Sequence, residues 1–273
     1  MELPASSLST GLPLSRRLRR AALVALLLGL WAPFKIVWEQ RIDHEQDLLR
    51  YRGAPMTRQL RDELSQGLTI GVLSGMRNIV ADFIWLEVTT AWMNEDYWKM
   101  GAYINLCTAL QPRAPIFWDM GGWHLAWNAS VTALEDATQP NKLRRIKASR
   151  FWIDRGLEIY QRGIENNPTY WHLWSDTGML YQQRLKDYPK AAEYYQKASE
   201  LPGAPIYLER FPAIMYGLGG DDQAAYTAWR NLWERMTPEQ REQKAHWKEK
   251  IESNLRRLEE KLSIPKEKRV FPN

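Results

Sequence analysis

One cysteine, Cys107, stands in the 273-residue chain. No disulfide can form within it, which neither requires nor excludes an oxidising compartment. Histidine is also scarce. His44, His124, His172 and His246 lie far apart, with no spacing that suits a metal. No stretch alternates apolar and polar residues over a strand's length, and β-branched runs are few, which points to an all-α fold. There is no Gly-x-Ser-x-Gly, no phosphate loop and no His-Glu-x-x-His. The expectation is therefore a protein that is not an enzyme and needs no cofactor or metal. Basic charge is missing from the main body as well. The net charge is +5, and residues 1–35 carry +4 of it, leaving +1 for everything after. Phosphate binding needs a clustered basic field, so nucleic acid is not an expected partner.

What is abundant is apolar and aromatic: 45% of residues are hydrophobic, with 14 Trp and 12 Tyr, enough for a sizeable core. Arg16, Arg17, Arg19 and Arg20 precede the run AALVALLLGLWAPF at 21–34, and Lys35 interrupts before Ile36, Val37 and Trp38. The run could be a cleaved signal peptide, or an uncleaved anchor over 21–38. No small-x-small cleavage pattern follows it, Trp31 and Trp38 suit the interface, and Lys35 can snorkel, all of which favour the anchor. The four arginines then hold residues 1–20 in the cytoplasm as a basic tail. The chain is then expected to be single-pass, with its C-terminal domain extracytoplasmic (periplasmic). Residues 39–75 mix charges at three- and four-residue spacing and read as a helical stalk, broken near Gly53 and Pro55.

From 76 to 237 the pattern repeats. Over Leu173–Pro202, Trp174, Gly178 and Tyr181 step along one helix, and Ala191, Tyr195 and Ala198 along a second, with Pro202 behind them. A small residue is needed where two helices touch, aromatics fill the gaps between pairs, and proline closes the second helix. The preceding unit carries Trp118, Gly122 and Leu125, then Gly156, Tyr160, Gly163 and Pro168. An earlier one carries Trp85, Thr89 and Trp92, then Ile104, Cys107 and Pro112. A weaker last one carries Ala213, Tyr216, Gly220, Ala225, Trp229 and Leu232.

These residues resemble tetratricopeptide repeats, most closely over 150–202. The resemblance implies a right-handed α-α superhelix of about four helix-turn-helix units, here with one N-terminal transmembrane helix. The chain departs from that pattern in two places. The inter-helix turn of the Leu173 unit is one residue longer than usual, and some twenty extra residues, roughly Ser130 to Arg150, separate the helices of the preceding unit. Thr138-Gln139-Pro140-Asn141 marks the turn there, and both helices are expected to extend toward it. The stretch MRNIVADFIWL…LQPRAPIFWDMGGWHLAWNAS also resembles bacterial membrane-anchored proteins with irregular repeats, which implies architecture and not chemistry. A charged helix over 238–263, opened by Thr237 and Pro238, would seal the end of the array.

In tetratricopeptide repeats the first helix of each pair lines a groove. Carried over, a partner-binding groove would include Asp119, Trp123, Trp127, His172, Ser175, Met179, Gln182 and Gln183. The competing explanation is that the tryptophans pack between units and His124 is hydrogen-bonded in the core. Trp174 is expected to be a core residue between units. The basic stripe Lys142, Arg144, Arg145, Lys147 and Arg150 could face lipid headgroups or an acidic partner, and a solvated helix face explains it as well. Cys107 falls at a small-residue site and is expected as a buried thiol. The functional expectation is a membrane-anchored scaffold or assembly protein that holds protein partners outside the cytoplasm, within a membrane-associated complex. The alternative is a helical protein that binds, or even hydrolyses, a small ligand or glycan with Trp123, Trp127 and Asp119. The topology is open to test: a reporter fused to the C-terminus should be active only outside the cytoplasm, and cytoplasmic activity would remove the anchor model.

Overall fold

The computed structural model describes residues 75–243 and 245–272. The basic tail, the anchor with Arg16, Arg17, Arg19 and Arg20, and nearly all of the stalk lie outside those residues. Among the described residues every regular element is helical, and no helix is long and apolar enough to cross a membrane.

The helices run in antiparallel pairs. Helix α1 (Arg77–Met93) packs on α2 (Tyr97–Leu110). Helix α3 (Pro115–Trp123) continues through a π-helical turn (His124–Ala129) into α4 (Ser130–Glu135), and all three pack along α5 (Lys142–Asn166). Helix α6 (Trp171–Leu180) continues into a second π-helical turn (Tyr181–Leu185) and packs on α7 (Tyr188–Ser199). Helix α8 (Phe211–Leu218), entered through a 3₁₀ turn (Ile206–Arg210), packs on α9 (Asp222–Arg235). Two further helices follow, α10 (Pro238–Gln243) and α11 (Ala245–Lys261), the latter lying against α9.

Local chemistry explains why the second helix of each pair begins where it does. Asp96, Asn141, Asp187 and Asp221 each accept from a backbone N–H two or three residues on, so α2, α5, α7 and α9 are all side-chain capped. Such a cap contributes about 1 kcal/mol. None of the first helices α1, α3, α6 and α8 has one. In three of the turns a left-handed residue stands just before the cap: Glu95 (φ 57°), Lys186 (φ 56°) and Gly220 (φ 80°). Asp96 and Asp221 then donate their N–H to the carbonyls of Ala91 and Tyr216, five residues back, while Asp187 donates to Tyr181, six back. The surplus residue of this unit therefore sits in the π-helical turn at the end of the first helix. The sequence assigned it to a longer inter-helix turn; the break between the helices is as tight as in the other units.

The extra material at 130–150 is helical. It lengthens both arms of one pair, with α4 packed on the N-terminal half of α5. The turn between them is tied by Asp136, which accepts from the N–H and hydroxyl of Thr138. The basic stripe lies on the first turns of α5, mostly exposed, with Arg150 paired to Asp154.

The pairs are locked by close contacts between small residues and aromatics. Gly122 lies so close to Tyr160 that a Cβ there would stand 2.5 Å from the ring, and a Cβ on Gly156 would stand 2.8 Å from the Gly122 carbonyl. Gly178 makes the corresponding, looser contact with Tyr195, at 3.1 Å. Trp118 and Trp174 share a second device. Each indole N–H donates to a proline carbonyl six residues earlier, Pro112 at 2.9 Å and Pro168 at 3.0 Å. The Pro112 carbonyl also accepts from the Asn167 amide at 2.9 Å, which ties successive loops together.

The core runs as three clusters along the stack, around Trp118 and Tyr160, around Tyr195 and Leu208, and around Trp229 and Leu255. Cys107 is fully buried in the first. Its thiol donates to the Ala81 carbonyl at 3.4 Å, and burial, with the nearby Asp82 charge, pushes it up to about 12, an unreactive thiol. At the far end the tail folds back: the Val270 N–H donates to buried Glu259 at 2.6 Å, and Phe271 packs edge-on to Trp233.

One sequence expectation needs correcting. Trp118, at 1% exposure, is the tryptophan fully enclosed between units, with Gly163 against its Cβ and the Arg162 guanidinium 5.3 Å from its ring. Trp174 is only half-buried, its ring beside Tyr194 at 5.8 Å. Trp118→Ala should therefore cost roughly 3–5 kcal/mol in denaturant unfolding and Trp174→Ala about 2 kcal/mol. Equal losses would mean that burial is not what separates them.

Candidate functional site

Helices α3 and α6 lie against each other, and their polar residues meet at that contact. Asp119, one turn into α3, and Asp176, in the middle of α6, are both half-buried and bring their carboxyls within hydrogen-bonding reach of each other. Burial pushes the Asp176 carboxyl up to about 8, with the negative charge of Asp119 and the hydrogen bond to it adding to the rise. Two carboxylates this close cannot both ionise cheaply, so the pair holds a proton at neutral pH. Among the described residues, no ion pair joins either of them to a lysine, arginine or histidine.

Three tyrosines feel the charge of one or both carboxyls. The Tyr160 ring from α5 lies against Gly122 of α3, and its hydroxyl is buried with no hydrogen-bond partner. Burial raises that phenol well above its ordinary value, and the Asp176 and Asp119 charges raise it further. Tyr170, just before α6, is raised by burial and by the same two carboxyls. Tyr195 from α7 is raised by burial and by Asp176, and its hydroxyl donates to the Gln182 side-chain oxygen at 2.7 Å.

The residues nominated from the sequence divide as follows. Asp119 and Trp123 lie one turn apart on α3; Trp123 is 38% exposed and its ring meets His124 edge-on at 5.2 Å. Trp127 is packed against the core. His172 stacks on Trp171, Ser175 is half-buried, Met179 packs partly into the second cluster, and Gln183 is exposed. His124 is buried within reach of Trp85 and Trp92, with Nδ1 3.0 Å from the Asn128 amide; burial holds its basicity below the ordinary value. It is a neutral core histidine, as the packing explanation required.

Asp176 is the residue that sequence reasoning missed. Groove positions were counted from Trp174 to Ser175 and Met179, which steps over it. It lies four residues after His172 and three before Met179, so it continues the face those two define. An aspartate inside WHLWSDTGML was the available signal.

Elsewhere, a cleft of about 830 Å³ opens between α7, α8 and α9, lined by Gln196, Glu200, Pro212, Tyr216, Asn231 and others. It contains none of the nominated residues, and its walls are ordinary surface polar groups. Among the described residues, no group of three or more His, Cys, Asp or Glu is placed to hold a metal.

Over the described residues the structure defines an all-helical stack of antiparallel pairs with an acidic contact between two first helices. Compared with known protein families the chain matches none, and it matches no curated protein.

The sign of the pH dependence follows from the raised Asp176. A carboxyl whose folded value lies above the ordinary 3.8 contributes stability that is complete below that value and is lost as pH rises through about 8. His124 works in the opposite sense, but only below its ordinary 6.5. Unfolding free energy should therefore fall between pH 7 and 9, and Asp176→Asn should flatten that fall. An unchanged slope in the variant would show that Asp176 carries no such proton.

Proposed function

We propose that this protein is a membrane-anchored helical-repeat scaffold of the tetratricopeptide kind. In this proposal residues 21–38 form the anchor, the C-terminal domain lies outside the cytoplasm, and the face built by the first helices holds a segment of a protein partner. The observation that carries the proposal is the contact of α3 with α6. It brings the first helices of two successive pairs together, with Trp123 exposed at the end of α3 and Gln183 exposed in the π-helical turn that follows α6. A rigid stack of pairs presents such side chains at fixed spacing, which suits an extended peptide or a helix. The apolar run flanked by four arginines supports the anchor. The saccharide alternative is less favoured because the Trp127 ring is partly buried against the core.

The test uses the full-length protein in mild detergent. A photo-crosslinking residue at position 123 should yield adducts with a discrete set of proteins, and one at exposed position 158 on α5 should not. Trp123→Ala together with Gln183→Ala should reduce co-purification of the same proteins without changing the helical signal. No protein adduct at 123, combined with quenching of tryptophan fluorescence by saccharides, would overturn the proposal in favour of the glycan-binding alternative.

A further inference from the structure

The basic stripe that opens α5 is more than a solvated helix face. Residues 142–150 hold five basic residues and no acid. At 3.6 residues per turn, Leu143, Lys147 and Phe151 follow one another along the outer face, with Arg144 beside Phe151. Ser149, Trp152 and Ile153 are buried on the opposite side. Leu143 is 69% exposed and Phe151 40%. Trp98, in the first turn of α2, sets its ring 5.2 Å from that of Phe151 and is itself 71% exposed. A solvated stripe has no use for three large apolar side chains. The surface also belongs to the departure from the repeat pattern: Leu143, Arg144 and Lys147 lie in the extension of α5 that a regular unit lacks.

The charges on this face are open to a partner. Lys142, Arg144 and Lys147 are exposed, and among the described residues no ion pair joins them to an acid. Asp154, the first acid along the helix, is committed to Arg150 at 2.9 Å. Whatever completes the face must take up apolar rings and cations within one short strip, about 12 Å from Leu143 to Phe151. Peptides and partner helices are held in grooves, whereas the outer face of a helix is convex. A bilayer interface meets each requirement. Tryptophan, phenylalanine and leucine settle at the headgroup level, and lysine and arginine lay their stems along apolar surface while their heads reach lipid phosphates.

We propose that the outer face of α5 from Leu143 to Phe151, together with Trp98, is a lipid-binding surface that rests on the headgroups of an anionic bilayer. Trp98, Leu143 and Phe151 enter between the headgroups, and Lys142, Arg144 and Lys147 meet the phosphates. The inference rests on the anchor reading above, which supplies the bilayer: only residues 39–74 separate the run at 21–38 from the described part of the chain. It adds which face of the helical stack turns to the membrane.

The experiment uses the full-length protein reconstituted with vesicles of phosphatidylcholine, alone or mixed with phosphatidylglycerol. Cys107 is fully buried and unreactive, so Leu143→Cys and, as control, Lys197→Cys on α7 each offer one site for an environment-sensitive fluorophore. The label at 143 should shift to the blue and be quenched by spin-labelled lipid in the mixed vesicles, and more weakly in phosphatidylcholine alone. The label at 197 should report water in both. Arg144→Gln and Lys147→Gln, added to Leu143→Cys, should each lower the ratio of embedded to aqueous label about fivefold. Salt at roughly 1 M should act in the same direction, because it screens the phosphates. Trp98→Ala should reduce quenching at 143 without changing the helical signal. Resistance of vesicle association to alkaline carbonate reads the anchor separately.

Carbonate-resistant association with an aqueous label at 143 would uphold the anchor and overturn the lipid surface. Association with anionic vesicles that carbonate and salt remove, with a blue-shifted label at 143, would uphold the lipid surface and sink the anchor. Equal blue shifts at 143 and 197 would overturn the lipid surface as unspecific contact. A label at 143 that is aqueous on vesicles and buried only in native membranes would overturn it in favour of an acidic protein partner.

Discussion

The contact between Tyr160 and Gly122 is the constraint from which much of the rest follows. With no side chain at Gly122, the ring can lie on the backbone of α3, and Gly156 can meet the Gly122 carbonyl on the same face. That approach sets the distance between α3 and α5. Trp118 is then enclosed on the far side, with its indole N–H already committed to Pro112. A larger residue at 122 would push the helices apart and open a void that nothing nearby could fill. The Tyr160 side chain itself ends in a buried hydroxyl without a hydrogen-bond partner.

The two π-helical turns are the second organising feature. Both follow directly on a first helix, at His124–Ala129 and Tyr181–Leu185. A π turn holds one more residue than an α turn and rotates everything beyond it. In the α6 unit it brings the chain to the same left-handed residue and aspartate cap as in the other units, one residue late. In the α3 unit it precedes the extended arm and leaves His124 between aromatic rings. Arg184 in the second turn donates to the Ser130 hydroxyl just beyond the first, so the two are tied to each other. Sequence spacing saw this only as a turn one residue too long, because an inserted residue reads the same whichever side of the helix end takes it up.

Much of the framework could be read from the residues. Small and aromatic positions at three- and four-residue spacing, closed by proline, placed Gly122 opposite Tyr160 and Gly178 opposite Tyr195, because close helix contacts admit few residue types. The aspartates that cap α2, α7 and α9 stand just before those helices for an equally local reason. The degree of burial was less legible: Trp118 and Trp174 occupy matching positions, yet what covers each comes from other helices. The acid pair was half legible. Asp119 was nominated and Asp176 was not, because the two occupy non-equivalent positions in their units, and repeat logic finds only what recurs.

The sequence alone pointed to the all-helical architecture of the described residues, since no segment has a strand's alternation and the apolar spacing is helical throughout the repeats. It led also to the expectation of a buried, inert Cys107, while it left His124 open between a core residue and a neighbour of a binding surface. Only the tertiary structure decided that two aspartates from separate pairs come together, so that burial and the Asp119 charge raise the Asp176 carboxyl. Ionisation depends on what surrounds a group in space, and the neighbours of Asp176 come from α3, α5 and α7, which only packing brings together.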